Sequence, residues 1–170
     1  ELSYPYSVGV DSEDNVYVTN GGTDRVIKYD KDLSYIRHWG GPSAANTVGT
    51  KFNDPVGIAF DEFDNMYVVD KSNHRVVMYD KAGEYVRNIG SYGSTDGRFN
   101  QPVGVVYDPQ GALYVADYGN NRIHKYALET EEIESITGLT LDSMLGDATQ
   151  YKDSDGDGVG DNADTFKTDP

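Results

Sequence analysis

The chain has 170 residues, enough for one domain or for one domain with a small appendage. It carries 14 Lys+Arg against 29 Asp+Glu, a formal −15 at pH 7. That balance argues against nucleic acid and anionic membrane leaflets as partners, since both are held through basic footprints. No apolar run approaches the ~20 residues of a bilayer span, and the absence of Cys removes disulfides, thiolate nucleophiles and Cys-type zinc sites.

The opening residues Glu1-Leu2-Ser3-Tyr4-Pro5 lack the basic and apolar regions of a signal peptide. A first unit follows, marked by Pro5, Asp11, Tyr17, Arg25 and Tyr29, and closes in the Gly/Pro/Ser-rich loop Gly40–Thr50. A second unit repeats it 50 residues on, with Pro55, Asp61, Tyr67, Arg75 and Tyr79 at matching positions; Ser7 stands opposite Gly57 and Asn20 opposite Asp70. A third lies a further 47 residues on. There Phe99-Asn-Gln-Pro-Val-Gly-Val-Val-Tyr-Asp108 matches Phe52-Asn-Asp-Pro-Val-Gly-Ile-Ala-Phe-Asp61. The match continues through Ala112–Asp117 and Asn120–Tyr126. No copy has a helical period.

Within the second unit four strands are predicted: Gly57–Asp61, Asn65–Asp70, His74–Asp80 and Glu84–Ile89. Turn residues separate them at Glu62–Asn65, Lys71–Asn73 and Lys81–Gly83. Glu131–Thr137 is the expected fourth strand of the third unit. Four antiparallel strands recurring every 40–50 residues are the pattern of a propeller blade. Pro-x-Gly-[Ile/Val]-x-x-Asp, then Tyr-Val-x-Asp, then Asn-x-Arg-[Val/Ile]-x-x-Tyr, resembles the NHL repeat over residues 4–138. The resemblance implies an all-β fold, a β-propeller of NHL type. Three four-stranded antiparallel blades (about 4–51, 52–98 and 99–138) would form part of a six-bladed ring.

Residues repeated in every blade read as scaffold. Tyr17, Tyr67 and Tyr114 are expected between blades, and Arg25, Arg75 and Arg122 are expected to tie hairpins, with Asp70 and Asp117 as partners. Three blades leave two apolar faces uncovered. Either the chain is a piece of a longer one that supplies the other blades, or two chains pair into six blades. The first is the expectation.

Beyond the blades the composition changes. Residues 127–170 hold 12 acidic and 2 basic residues, a net of −10, against −5 for the first 126. Residues 139–152 read as a linker, and 153–170 as an irregular calcium-binding segment. Asp153, Asp155, Asp157, Asp161 and Asp164 fall at positions 1, 3, 5, 9 and 12 of a twelve-residue loop, with Gly158 at position 6 and the Val159 carbonyl at 7. That is calcium-loop spacing, with Asp in place of Glu at position 12. Ca²⁺ takes 6–8 hard oxygens, which alternate side chains on a curling loop can bring to one point. Without a cation the five carboxylates repel one another, so the loop is expected to need the ion for its shape. Pro170 follows too soon for an EF-hand's exiting helix. The string Asp153–Asp164 followed by Asp169-Pro170 instead resembles a thrombospondin type 3 repeat. That resemblance implies Ca²⁺ as cofactor and an extracellular or cell-surface place, on a prokaryotic protein.

The functional expectation is a non-enzymatic binding or scaffold module with a calcium-bearing spacer. It would take a protein or carbohydrate ligand on a loop face formed by Gly40–Lys51 and Ser91–Arg98, where Tyr92 stands out. Nucleic acid and membrane insertion are not expected. The alternatives are a lyase or hydrolase propeller with a metal site, and a self-assembling subunit of a fibre or surface layer. The first alternative finds little support. His38, His74 and His124 occupy non-equivalent repeat positions, and no Gly-x-Ser-x-Gly elbow occurs.

Overall fold

Alternation of Val, Ile and Tyr with smaller or polar residues yields short strands in the computed structural model, which describes residues 1–41 and 51–128. β1 (Pro5–Val10), β2 (Val16–Asn20), β3 (Arg25–Tyr29) and β4 (Tyr35–Gly40) form one sheet in chain order. A second sheet repeats this with β5 (Pro55–Phe60), β6 (Met66–Asp70), β7 (Arg75–Tyr79) and β8 (Tyr85–Ile89). β9 (Pro102–Asp108), β10 (Ala112–Asp117) and β11 (Arg122–Ala127) give the third, again with neighbours in chain order. Every pairing between these strands is antiparallel. The sheets are the blades of an all-β propeller. The strand expected at Glu131–Thr137, the 139–152 linker and the 153–170 segment lie outside the described residues. Among the described residues no helix is long and apolar enough to cross a membrane.

The hairpins are set by aspartate. Asp11 Oδ1 accepts from the Glu13 and Asn15 amides at 3.0 and 2.9 Å, and Asp61 Oδ1 from those of Phe63 and Asn65 at 3.0 and 2.8 Å. Asp108 does the same for Gln110 at 3.1 Å, Asp30 for Asp32 and Ser34, and Asp80 for Glu84. Such Asx turns replace the ladder bonds lost at a reversal. In the β2–β3, β6–β7 and β10–β11 connections the chain makes a single 3₁₀ turn instead, at Gly21–Thr23, Lys71–Asn73 and Tyr118–Asn120. Each ends on a left-handed residue: Asp24, His74 or Asn121. His74, read from the sequence as the first residue of a strand, is therefore a turn residue.

Successive blades face one another, and register decides which side chains meet. Gly9, Tyr17, Lys28 and Arg37 are cross-strand partners in one row of the first blade. That row looks toward the second blade: a Cβ on Gly9 would come within 2.8 Å of the Phe60 ring. Tyr17 packs on Phe60 with centroids 4.7 Å apart, and Trp39 donates from Nε1 to the Gly83 carbonyl at 2.8 Å. Tyr17, Trp39, Ile58, Met66, Val68 and Tyr79 belong to the core between these blades. At the next junction Tyr67 stacks on Tyr107 at 6.2 Å and is fully buried.

Candidate interaction face

The last position of each blade's second strand is a buried hub. Asn20, Asp70 and Asp117 are each 0% exposed. Asp70 accepts the Asn53 amide at 2.7 Å, the Asn73 side chain at 2.8 Å and Arg75 Nε at 2.8 Å. Asp117 accepts Asn100 N–H, Asn120 Nδ2 and Arg122 Nε at 2.7, 2.7 and 2.8 Å. A buried carboxylate is tolerable when so many donors meet it. In the first blade Asn20 keeps the backbone bond, from Ser3 at 2.6 Å, and donates to Thr23 Oγ1. With no carboxylate there, Arg25 Nε is buried without a partner. The Arg tie expected in all blades thus operates in two.

The hub arginines also hold the loops that lead into their blades. Arg122 donates to the carbonyls of Ser94, Thr95 and Arg98 at 2.9, 3.0 and 2.7 Å, and Asn120 to that of Gly93 at 2.8 Å. Phe99 N–H bonds Ser91 O and Gly93 N–H bonds Phe99 O, closing the base of the loop. Ser91–Arg98, singled out as a variable binding loop, is fixed in place by the blade beneath it. Tyr92 stands out from it at 65% exposure, its ring 4.8 Å from that of His74. His74 Nδ1 accepts the Gln101 amide at 3.0 Å, which leaves the proton on Nε2. Within Gly40–Lys51, residues 42–50 lie outside the described residues.

The turn beside this loop carries further polar groups. Lys71 Nζ pairs with Asp54 at 2.8 Å, and this contact raises the Lys71 pKa. Tyr6 and Tyr118, both exposed, lie close enough to act on the same ammonium.

The three histidines do not converge. His38 Nδ1 meets the Tyr35 hydroxyl at 2.8 Å, and His124 is buried edge-on against Phe99 with centroids 5.5 Å apart. Among the described residues no group of three His, Cys, Asp or Glu side chains is placed to hold a metal ion. The calcium ligands expected from the sequence, Asp153, Asp155, Asp157, Val159, Asp161 and Asp164, all lie outside the described residues.

Sequence reasoning missed the hub's grip on the loop. A signal was present: Arg75 and Arg122 each follow Asp70 and Asp117 by five residues. The reach of the guanidinium to loop carbonyls 24–28 residues earlier is not a local feature.

The NHL repeat family matches residues 99–126. No curated protein matches the chain. Among solved structures, a protein of unknown function from Bacteroides thetaiotaomicron is 22% identical, with a TM-score of 0.62 over 74% of this chain and 35% of the other. Virginiamycin B lyase from Staphylococcus aureus is 18% identical, with a TM-score of 0.53 over 75% and 42%. A structure of a nidogen/laminin complex gives 18%, 0.56, and 73% and 43%. The chain spans less than half the length of each of these structures. The likeness is one of fold, and the fold is the β-propeller.

Proposed function

We propose that the blades form a rigid scaffold for binding another protein, with the Ser91–Arg98 loop as the contact surface. One observation carries this reading. Arg122 and Asn120 hold the loop's backbone through four carbonyls, so Tyr92 is presented on an ordered base. A pre-ordered loop loses little entropy on binding, and an exposed Tyr offers large contact area with few rotatable bonds. The nidogen/laminin likeness supports an interaction role for the fold. Photo-crosslinking is the test. A benzophenone side chain at position 92 is expected to capture one protein from the host's extracellular fraction. The same group at Asp32, on a hairpin at the other end of the strands, should capture none. Equal capture at both positions, or none at either, counts against the loop.

The second part of the reading concerns Asp153–Asp164, a Ca²⁺ site on a spacer outside the cell. Its support is the ligand spacing 1, 3, 5, 7, 9, 12 with Gly158 at position 6. Millimolar extracellular Ca²⁺ would load even a weak module of this type. Ca²⁺ is expected to protect the chain beyond Gly138 from proteolysis, and Asp155→Ala with Asp157→Ala to remove that protection. Identical cleavage with and without chelator would eliminate the site.

A further inference from the structure

We propose that the Ser91–Arg98 loop carries a nest of backbone amides for a carboxylate, the group that an Asp or Glu side chain of a partner protein presents. The proposal rests on this loop being the contact surface and names what that surface recognises.

The hub beneath the loop sets the direction of its peptides. A trans peptide points its N–H opposite to its C=O, and no described peptide bond is cis. Asn120 and Arg122, on the blade below, take the carbonyls of Gly93, Ser94 and Thr95 at 2.8, 2.9 and 3.0 Å. The N–H groups in those three peptide planes belong to Ser94, Thr95 and Asp96, so they point away from the blade. None of the three has an acceptor among the described residues. All three residues are exposed. The fourth carbonyl held by the hub, that of Arg98, shows the contrast. The N–H in its plane, from Phe99, is already spent on Ser91 O at 2.8 Å.

Successive N–H groups aimed to one side form a concavity that attracts an anion. Each peptide unit contributes a dipole of ~3.5 D, and alignment adds their positive ends. Arg122 and Asn120 hold the dipoles in place from the carbonyl side, so an arriving anion finds donors already ordered and little entropy is lost.

The side chains of the loop suit a single negative charge. Ser94 and Thr95 add two hydroxyl donors. Arg98 N–H bonds Thr95 O at 3.2 Å, and this turn brings the exposed Arg98 beside the three amides. Asp96 offsets Arg98 in formal charge, so the attraction comes from the amides themselves. Their partial charges match a carboxylate, which accepts from several N–H groups at once, better than a doubly charged phosphate beside Asp96.

Amide spectra of the ¹⁵N-labelled full chain, titrated with millimolar acetyl-Gly-Asp-Gly-amide, test the assignment. The Ser94, Thr95 and Asp96 amide protons are expected to move downfield together, while the matching Asn peptide leaves them in place. Asp96→Asn, on the exposed loop, should tighten the Asp peptide several-fold by removing the loop's one negative charge. Arg122→Lys cannot span the three carbonyls and should abolish the shifts. No shifts, equal shifts with both peptides, or an Arg122→Lys protein that folds and responds like wild type overturns the nest. Larger shifts with the phosphoserine peptide assign it to phosphate and overturn the carboxylate. Capture by the benzophenone at position 92 without peptide shifts overturns the nest and keeps the protein contact. Shifts without capture keep the nest and overturn the contact.

Discussion

Buried carboxylates govern the chemistry of this protein one residue at a time. Asp70 and Asp117 meet the same kinds of donor, yet burial raises the Asp70 carboxyl. Asp117 is held low despite its burial by Asn100, Asn120 and Arg122. The difference follows from cover, since a further blade lies over Asp70. Asp70→Ala would leave Arg75 Nε and the Asn53 amide without their acceptor, and is expected to cost about 3–5 kcal/mol in urea unfolding. Asp70→Asn, which copies the first blade's Asn20, should cost markedly less. Asp11 adds a pH dependence. Burial works to raise its pKa, but bonds from Asn15, Lys28 and Tyr17 outweigh that and bring it to about 2 from 3.8. A lowered folded-state pKa gives stability that is complete above 3.8 and lost as pH falls through about 2. The unfolding free-energy gap between wild type and Asp11→Asn should be about 1–2 kcal/mol larger at pH 5 than at pH 2.

Among the elements, the turns divide the labour between side chain and backbone. The β3–β4 hairpin has Leu33 at φ 62°, where the second blade's equivalent hairpin has Gly83 at φ 80°. A left-handed conformation costs a residue with a Cβ about 1–2 kcal/mol, against which glycine's greater unfolded-state freedom must be set. Leu33 is 66% exposed, so its removal gives up little buried surface. Leu33→Gly is therefore expected to raise the melting temperature by a few degrees, about 2–4 °C per kcal/mol gained. The reverse change at Gly83 should be harmful, because a Cβ there would lie 2.6 Å from the Trp39 ring. Scanning calorimetry of the two variants reads both effects.

Position among the blades decides the worth of a repeated residue for the molecule as a whole. Tyr67 is fully buried against Tyr107 and donates to Asp61 at 3.0 Å. Burial, with the Asp61 charge beside it, pushes its pKa well above the ordinary phenol value. Tyr67→Phe is expected to cost about 1–2 kcal/mol, the loss of a buried bond to a charged acceptor. Tyr114→Phe, at the same repeat position in the third blade, should change stability by less than about 0.5 kcal/mol. Denaturant titration of the two variants measures the contrast. Equal costs would mean that the third blade's forward face is covered as fully as the second's.

The four strands of each of the first two blades, and the turns between them, were legible in the sequence because they rest on local chemistry. A period-two pattern, an Asp that caps its own turn and a 47-residue offset need no knowledge of distant contacts. The scaffold reading of Tyr17 and Tyr67, and of Arg75 and Arg122 with their aspartates, follows from the same repetition. The spacing of Asp153–Asp164 is equally a property of the sequence, and it stands as a proposal on that ground alone. Tertiary structure decided the rest. It placed Tyr92 on a loop held by an arginine 24–31 residues away, left Arg25 without the carboxylate its counterparts have, and made Tyr114 half-buried where Tyr67 is enclosed. These outcomes depend on which surface lies opposite each residue. A repeat fixes what a blade offers, while burial, pairing and pKa are set by the blade that faces it.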